Sequence, residues 1–161
     1  GRMLWPMEIR GATGQTLREI WGDDDPRAHL GITVPDFPNL FMLYGPNTNL
    51  GHGGSAIFHS ECQIRYIMLA LREMLERGAA TMVCRRAPHD AYNARVDAAH
   101  RKMVWSHRGV GNWYKNKAGR VIANSPWRLV DYWSFTRTIE PDDFDFETRA
   151  PRRLDGQSAV P

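Results

Sequence analysis

Between Gly45 and Ile67 the chain reads GPNTNLGHGGSAIFHSECQIRYI: four glycines, a proline and two asparagines give way to a helical pattern. From Ser55 to about Arg77 the residues Ile57, Ile64, Met68, Leu71 and Leu75, with Ile67 beside them, recur at helical spacing. Gly78 supplies the stop. Glycines at 51, 53 and 54 carry no side chain, so another group can approach that backbone closely. Ser55 is the expected N-cap. The free N–H groups and positive dipole end of such a helix stabilise negative charge or an electron-rich carbonyl. Asn47, Thr48 and Asn49 add hydrogen-bonding side chains at the edge of the same loop.

Shorter elements flank this unit. Met7–Gly11 alternates like a short strand, and Thr16 is placed to cap a helix through Trp21. LGITV and NLFMLY, on either side of PDFP, read as strands, with Leu40–Tyr44 apolar enough to be buried on both faces. ATMVCR follows the long helix as a strand, and a second helix spans 87–103 with Pro88 in its first turn. Beyond Val104, Trp105, Trp113 and Tyr114 are set among Gly109, Gly111 and Gly119 in an aromatic, glycine-rich loop. SPWRLVDYWSFTRTI reads as mixed strand and turn. The organisation expected is one α/β (α+β) unit over 1–141 and a disordered acidic tail over 142–161.

With 161 residues, 42% of them hydrophobic, the chain can bury roughly two-thirds of its unfolded surface. No apolar run approaches the ~20 residues of a membrane span. The net charge of +3 comes from dispersed arginines, not the clustered face that nucleic acid requires. Two separated cysteines, Cys62 and Cys84, make no disulfide framework, which sets a reducing cytoplasm as the default. The opening GRMLWPMEIRG begins mid-pattern and reads as a cut through a larger protein.

Three sharper motifs fail on their own chemistry. GHGGSA fits a dinucleotide fingerprint formally, but six residues separate it from the preceding strand, where a true fingerprint turns directly off it. His52-Gly53-Gly54-Ser55 imitates an esterase oxyanion loop, yet the chain has no G-x-S-x-G elbow. His59 and Cys62 lie one turn apart and could join His52 at a metal, but a packed histidine and a buried cysteine explain them more simply.

FPNLFMLYGPNTNLGHGGS, followed by its amphipathic helix, resembles the C-terminal part of flavin-dependent monooxygenases of the type I Baeyer–Villiger group, most nearly the subgroup acting on 4-hydroxyacetophenone. LWPMEIRGATGQTLREIWG, APHDAYNARV and GNWYKNKAGRV fit the same resemblance in order, over roughly residues 3 to 140. The resemblance implies the closing part of an FAD/NAD(P)-binding flavoprotein fold: a strand, a loop, the long helix, a second helix and the aromatic loop. It also implies an enzyme that binds FAD and NADPH and inserts one oxygen from O2 beside a ketone carbonyl or onto a soft heteroatom.

On that resemblance Asn47, Thr48, Asn49, Leu50, Gly51 and His52 are expected to contact FAD or lie next to it. Trp113 is expected to contact the nicotinamide cofactor from a mobile loop. The family's two dinucleotide fingerprints, its signature motif and its catalytic arginine have no counterpart here, so no catalytic residue is assigned. The expectation is a tail portion that is inactive alone, completed by the missing N-terminal part of the same enzyme. The competing reading is a non-catalytic ligand- or partner-binding module derived from that fold. A severed domain should expose apolar surface along Leu40–Tyr44 and the long helix.

Overall fold

A computed structural model describes residues 3–51, 53–107, 109 and 111–148. Four helices, α1 (Leu17–Trp21), α2 (Ala56–Glu76), α3 (Arg86–His100) and α4 (Leu129–Thr136), are joined by long irregular segments. β1 (Ala79–Cys84) and β2 (Phe144–Thr148) form one antiparallel pair, with Cys84 opposite Phe144 and Met82 opposite Phe146.

The helix signals in the sequence act as expected at three places. Thr16 Oγ1 accepts from Glu19 N–H at 3.2 Å, and Glu19 Oε2 accepts from Thr16 N–H at 2.6 Å, a reciprocal capping box. Gly78, at φ 61°, ends α2 in the left-handed conformation that glycine adopts without penalty. Pro88 sits in the first turn of α3, where its missing N–H costs nothing.

α2 is two-faced in an unexpected sense. Its buried face is His59, Cys62, Gln63, Tyr66, Ala70 and Met74. The apolar stripe that marks the helix in the sequence points outward: Ile57, Ile64, Met68, Leu71 and Leu75 are all exposed, Leu75 to 82%. Leu43 and Tyr44 are exposed as well. The apolar surface expected of a severed domain is therefore present.

Several strand expectations are corrected. Leu40–Tyr44 forms no ladder: it runs between left-handed Asn39 (φ 59°) and Tyr44 (φ 55°), and Met42 N–H to Ile32 O at 2.8 Å is its one backbone bond to the 30–34 segment. LGITV opens with a tight turn instead of a strand, because Leu30 and Gly31 are both left-handed and Ile32 N–H returns to His29 O at 2.9 Å. Near Met7–Gly11 only an isolated bridge, Arg10 to Thr16, forms. Within SPWRLVDYWSFTRTI the segment Leu129–Thr136 is helical. The Asp131 carboxylate, ion-paired to Arg128, accepts the Arg128 N–H at the helix start and outweighs the strand-forming Val, Tyr, Trp and Phe.

The expectation of disorder from residue 142 fails for 142–148. Phe144 is buried against Met82, Cys84 and Tyr92 in the main core, and Phe146, beneath the Arg77 guanidinium at 4.6 Å, occupies the next position on the same face of β2. Asp145 between them and Glu147 after them mask a two-residue alternation. Residues 149–161 lie outside those described.

Candidate functional site

The loop ahead of α2 is held from behind by the chain segment 120–125. Asn47 N–H donates to Ile122 O at 3.0 Å, Asn49 N–H to Ala123 O at 2.9 Å, and Ser125 N–H to Asn49 O at 2.7 Å. Asn47 adopts φ 57°, which asparagine tolerates better than most residues. Its amide is fully engaged: Nδ2 donates to Val121 O at 2.8 Å and Asn124 O at 3.2 Å, while Oδ1 accepts from Arg120 Nη2 at 3.1 Å. Thr48, also buried, turns its hydroxyl to Gly45 O at 2.7 Å. Asn47 and Thr48 thus shape the loop from inside, and their side chains are committed to the protein. Asn49, Leu50 and Gly51 form its partly open side. His52 lies outside the described residues.

Two sets of donors here lack a protein acceptor or cap. Asn49 Nδ2 donates to Asn124 Oδ1 at 2.6 Å, which fixes the Asn124 amide and leaves its Nδ2 buried with no partner among the described residues. That Nδ2 lies beside Gly51, where a Cβ would come within 2.6 Å of it. At the start of α2 the Ser55 hydroxyl makes no cap, contrary to expectation, and no acidic residue stands in the first turn. Among the described residues no side chain caps the helix N–H groups there. Exposed Gly53, at φ 98°, has nothing within 4 Å of its Cβ direction among the described residues, whereas Gly54 is closed off by Leu129 and Leu50. The space that the sequence leaves open beside these glycines is filled by the chain at Gly51 and Gly54, and stays open at Gly53.

His59, fully buried, hydrogen-bonds through Nδ1 to Thr48 O at 2.9 Å and stacks on Tyr132 at 4.3 Å between centroids. Tyr132 in turn donates to Leu30 O at 2.6 Å and accepts from Gln63 Nε2 at 3.0 Å. Gln63 Oε1 accepts the N–H of left-handed Tyr44 at 2.8 Å. This polar core beneath the first half of α2 fixes where the helix end points.

Trp113 is 68% exposed and packs against Tyr114 at 4.3 Å. Its loop closes at the base: Lys115 bridges Val121, Ile122 N–H donates to Tyr114 O at 2.8 Å, and Asn116 N–H to Arg120 O at 2.9 Å. Ile122 is also the residue that holds Asn47. The Trp113 loop and the Asn47–Gly51 loop are therefore built on opposite edges of one short segment.

Behind both lies a closed ionic ring. Asp97 accepts from Arg120 Nε at 2.8 Å and Arg27 Nη1 at 2.9 Å, and Asp25 accepts from Arg120 Nη1 and Arg27 Nε at 3.1 Å each. Burial opposes the charge of Arg27, but its bonds to Asp97 and Asp25 outweigh that and raise its pKa. Nearby, His100 Nδ1 accepts from Trp105 Nε1 at 3.0 Å, so the ring proton sits on Nε2, which faces Asn124 O at 2.9 Å. Burial, with Arg120 adding to it against the Asn124 bond, lowers the His100 pKa to about 4. Nothing in the sequence marks Arg27, Asp97, Arg120 or Asn124 as a set, because apart from Arg27 with Asp25 each contact joins positions more than twenty residues apart.

No family model matches the chain. An uncharacterised monooxygenase, y4iD, of Sinorhizobium fredii is 45% identical over 160 residues, 99% of this chain and 24% of that protein. The FAD-binding monooxygenase ktnD of Aspergillus niger is 37% identical over 88% of this chain and 24% of its own length. A Baeyer-Villiger monooxygenase of Pseudomonas aeruginosa is 36% identical over 87% of this chain and 26% of its own length. Among solved structures, an oxidised steroid monooxygenase bound to NADP superposes with a TM-score of 0.75 at 23% identity, covering 88% of this chain and 27% of that one. The chain thus has the fold of one part of the FAD/NADP-binding monooxygenases, and spans about a quarter of the length of the relatives it matches.

Proposed function

We propose that this chain is the C-terminal part of an FAD- and NADPH-dependent monooxygenase of Baeyer–Villiger type, with the 4-hydroxyacetophenone subgroup its nearest kin. The observation that carries this reading is a set of donors without a partner among the described residues: the buried Asn124 Nδ2 beside Gly51 and the N–H groups at the start of α2, which Ser55 does not cap. Donors of this kind fit the electron-rich carbonyl edge of a flavin ring and stabilise negative charge upon it. When bound, FAD reduced by NADPH supplies the activation of O2. The chain's own part is to hold the flavin edge with Asn49–Gly51 and the α2 end, and to lay the exposed Trp113 against the nicotinamide.

Asn47 and Thr48 support the flavin loop through its backbone, and His52 completes the proposed set. The substrate is a ketone or a soft heteroatom compound. Free, buried Cys62 and Cys84 support a cytoplasmic setting. The outward stripe of α2 supports a longer polypeptide over a stand-alone module, since a module would carry that stripe unprotected.

The testing experiment supplies the longer polypeptide with NADPH, isotopically labelled O2 and either an aryl ketone or a thioether. One labelled oxygen in an ester or sulfoxide is expected, with no turnover by the 161-residue chain alone. NADPH oxidation without product label from either substrate would count against the reading.

A further inference from the structure

Arg120 stands at the junction of the two proposed cofactor loops. Its backbone closes the turn at the base of the Trp113 loop: its N–H donates to Asn116 Oδ1 at 2.8 Å and its carbonyl accepts from Asn116 N–H at 2.9 Å. Its guanidinium, 11% exposed, spends Nε and Nη1 on Asp97, Asp25 and Pro26 O. Nη2 reaches Asn47 Oδ1 at 3.1 Å and so sets which way the Asn47 amide faces. Arg27 has the same two carboxylate partners, and among the described residues its guanidinium makes no hydrogen bond to Asn47. The ring therefore supplies rigidity through two arginines, and only one of them extends it to the flavin loop. A planar fork with five donors can hold Asp97, Asp25 and Asn47 at once; an ammonium cannot.

We propose that Arg120 is a positioning residue that couples occupancy of the Trp113 loop to the grip of the Asn47–Gly51 loop, so that NADP+ binding tightens FAD binding. This rests on the functional reading above. A ligand seated on Trp113 holds the 114–122 base closed, presents Arg120 to Asn47, and thereby fixes the loop that faces Asn124 and Gly51. Coupling of this kind is reciprocal, so FAD tightens NADP+ by the same factor.

The test measures FAD release from the longer polypeptide, with and without saturating NADP+, and the shift NADP+ causes in the flavin visible spectrum. In the unaltered protein NADP+ is expected to slow FAD loss about tenfold, within the usual range of coupling. Arg120→Lys keeps the charge and is expected to bring that effect below about twofold and erase the spectral shift, while FAD and NADP+ each still bind. Asn47→Gly, which suits the left-handed backbone and leaves the ring whole, removes the acceptor of Arg120 Nη2, should likewise bring the effect of NADP+ below about twofold, and serves if Arg120→Lys folds poorly. Arg27→Lys loosens the ring without touching Asn47 and should leave the coupling intact. Coupling that survives both Arg120→Lys and Asn47→Gly, or that Arg27→Lys abolishes equally, overturns the inference and leaves the functional reading standing. A protein that takes up no FAD overturns the functional reading, and the coupling with it.

Discussion

Asn124 fills the space beside Gly51: a Cβ on Gly51 would lie 2.6 Å from Asn124 Nδ2 and 3.0 Å from Cγ. Gly51→Ala should push that amide away and break its 2.6 Å bond from Asn49. Overpacking of this kind costs about 1–3 kcal/mol. A lowered urea midpoint, with FAD content falling in parallel, is the expected result; an unchanged midpoint would mean that Asn124 moves aside freely.

The polar core under α2 depends on Tyr132, which is wholly buried and makes two hydrogen bonds through its hydroxyl. Tyr132→Phe strands Leu30 O and Gln63 Nε2 in the interior, at a cost of about 1–3 kcal/mol. Equilibrium unfolding checks this, and a loss below about 0.5 kcal/mol would show that water replaces the hydroxyl.

Two buried histidines predict acid sensitivity. Burial lowers both His29 and His100 from 6.5 to about 4, aided at His29 by nearby His89 and at His100 by Arg120. The unfolded chain takes up protons between those values that the fold refuses, so stability is full above about pH 6.5 and falls as pH drops toward 4. Each histidine contributes about 3 kcal/mol to that loss. Urea titrations between pH 7 and pH 4 should give steadily falling midpoints, and a flat profile down to pH 5 would contradict the buried neutral state.

The outward stripe of α2 predicts opposite behaviour in two contexts. In the 161-residue chain alone, Met68→Lys with Leu75→Lys should reduce self-association and dye binding, because both side chains are exposed there, to 60% and 82%. In the longer polypeptide the same pair should destabilise by about 2 kcal/mol or more, as burying an unpaired charge does. Equal stability of the longer protein with and without the substitutions would show that nothing covers the helix.

Trp113→Ala removes an exposed aromatic face from a loop that is closed at its base. On the proposed function, the longer polypeptide carrying this substitution should bind NADPH about 5- to 150-fold more weakly and release more hydrogen peroxide, with bound FAD unchanged. Loss of FAD with NADPH dependence retained would make Trp113 an anchor of the fold and not a cofactor contact.

α1, α2 and α3 were legible because their signals are local: the Thr16 box, Gly78 and Pro88 each act within a turn, whereas α4 was read as strand and turn because Val130, Tyr132, Trp133 and Phe135 favour strands. The strand readings at 30–34 and 40–44 failed where left-handed backbone at Leu30, Asn39 and Tyr44 interrupts apolar runs, which composition does not reveal. β2 was hidden because acidic neighbours outweigh Phe144 and Phe146 in any count of charge, although those two alone bury the strand. At the candidate site the loop itself was visible from its glycines and asparagines. Its supports were not, since Arg120 and Asn124 reach Asn47 and Asn49 across more than seventy residues.

The most direct measurement is the visible spectrum of the purified longer polypeptide before and after anaerobic NADPH. A yellow protein with about one FAD per chain, bleached by NADPH and recoloured by O2, is the expected result for a site of this donor pattern. A colourless protein that neither takes up FAD on reconstitution nor changes with NADPH would contradict the assignment of Asn49–Gly51 and the α2 end to a flavin.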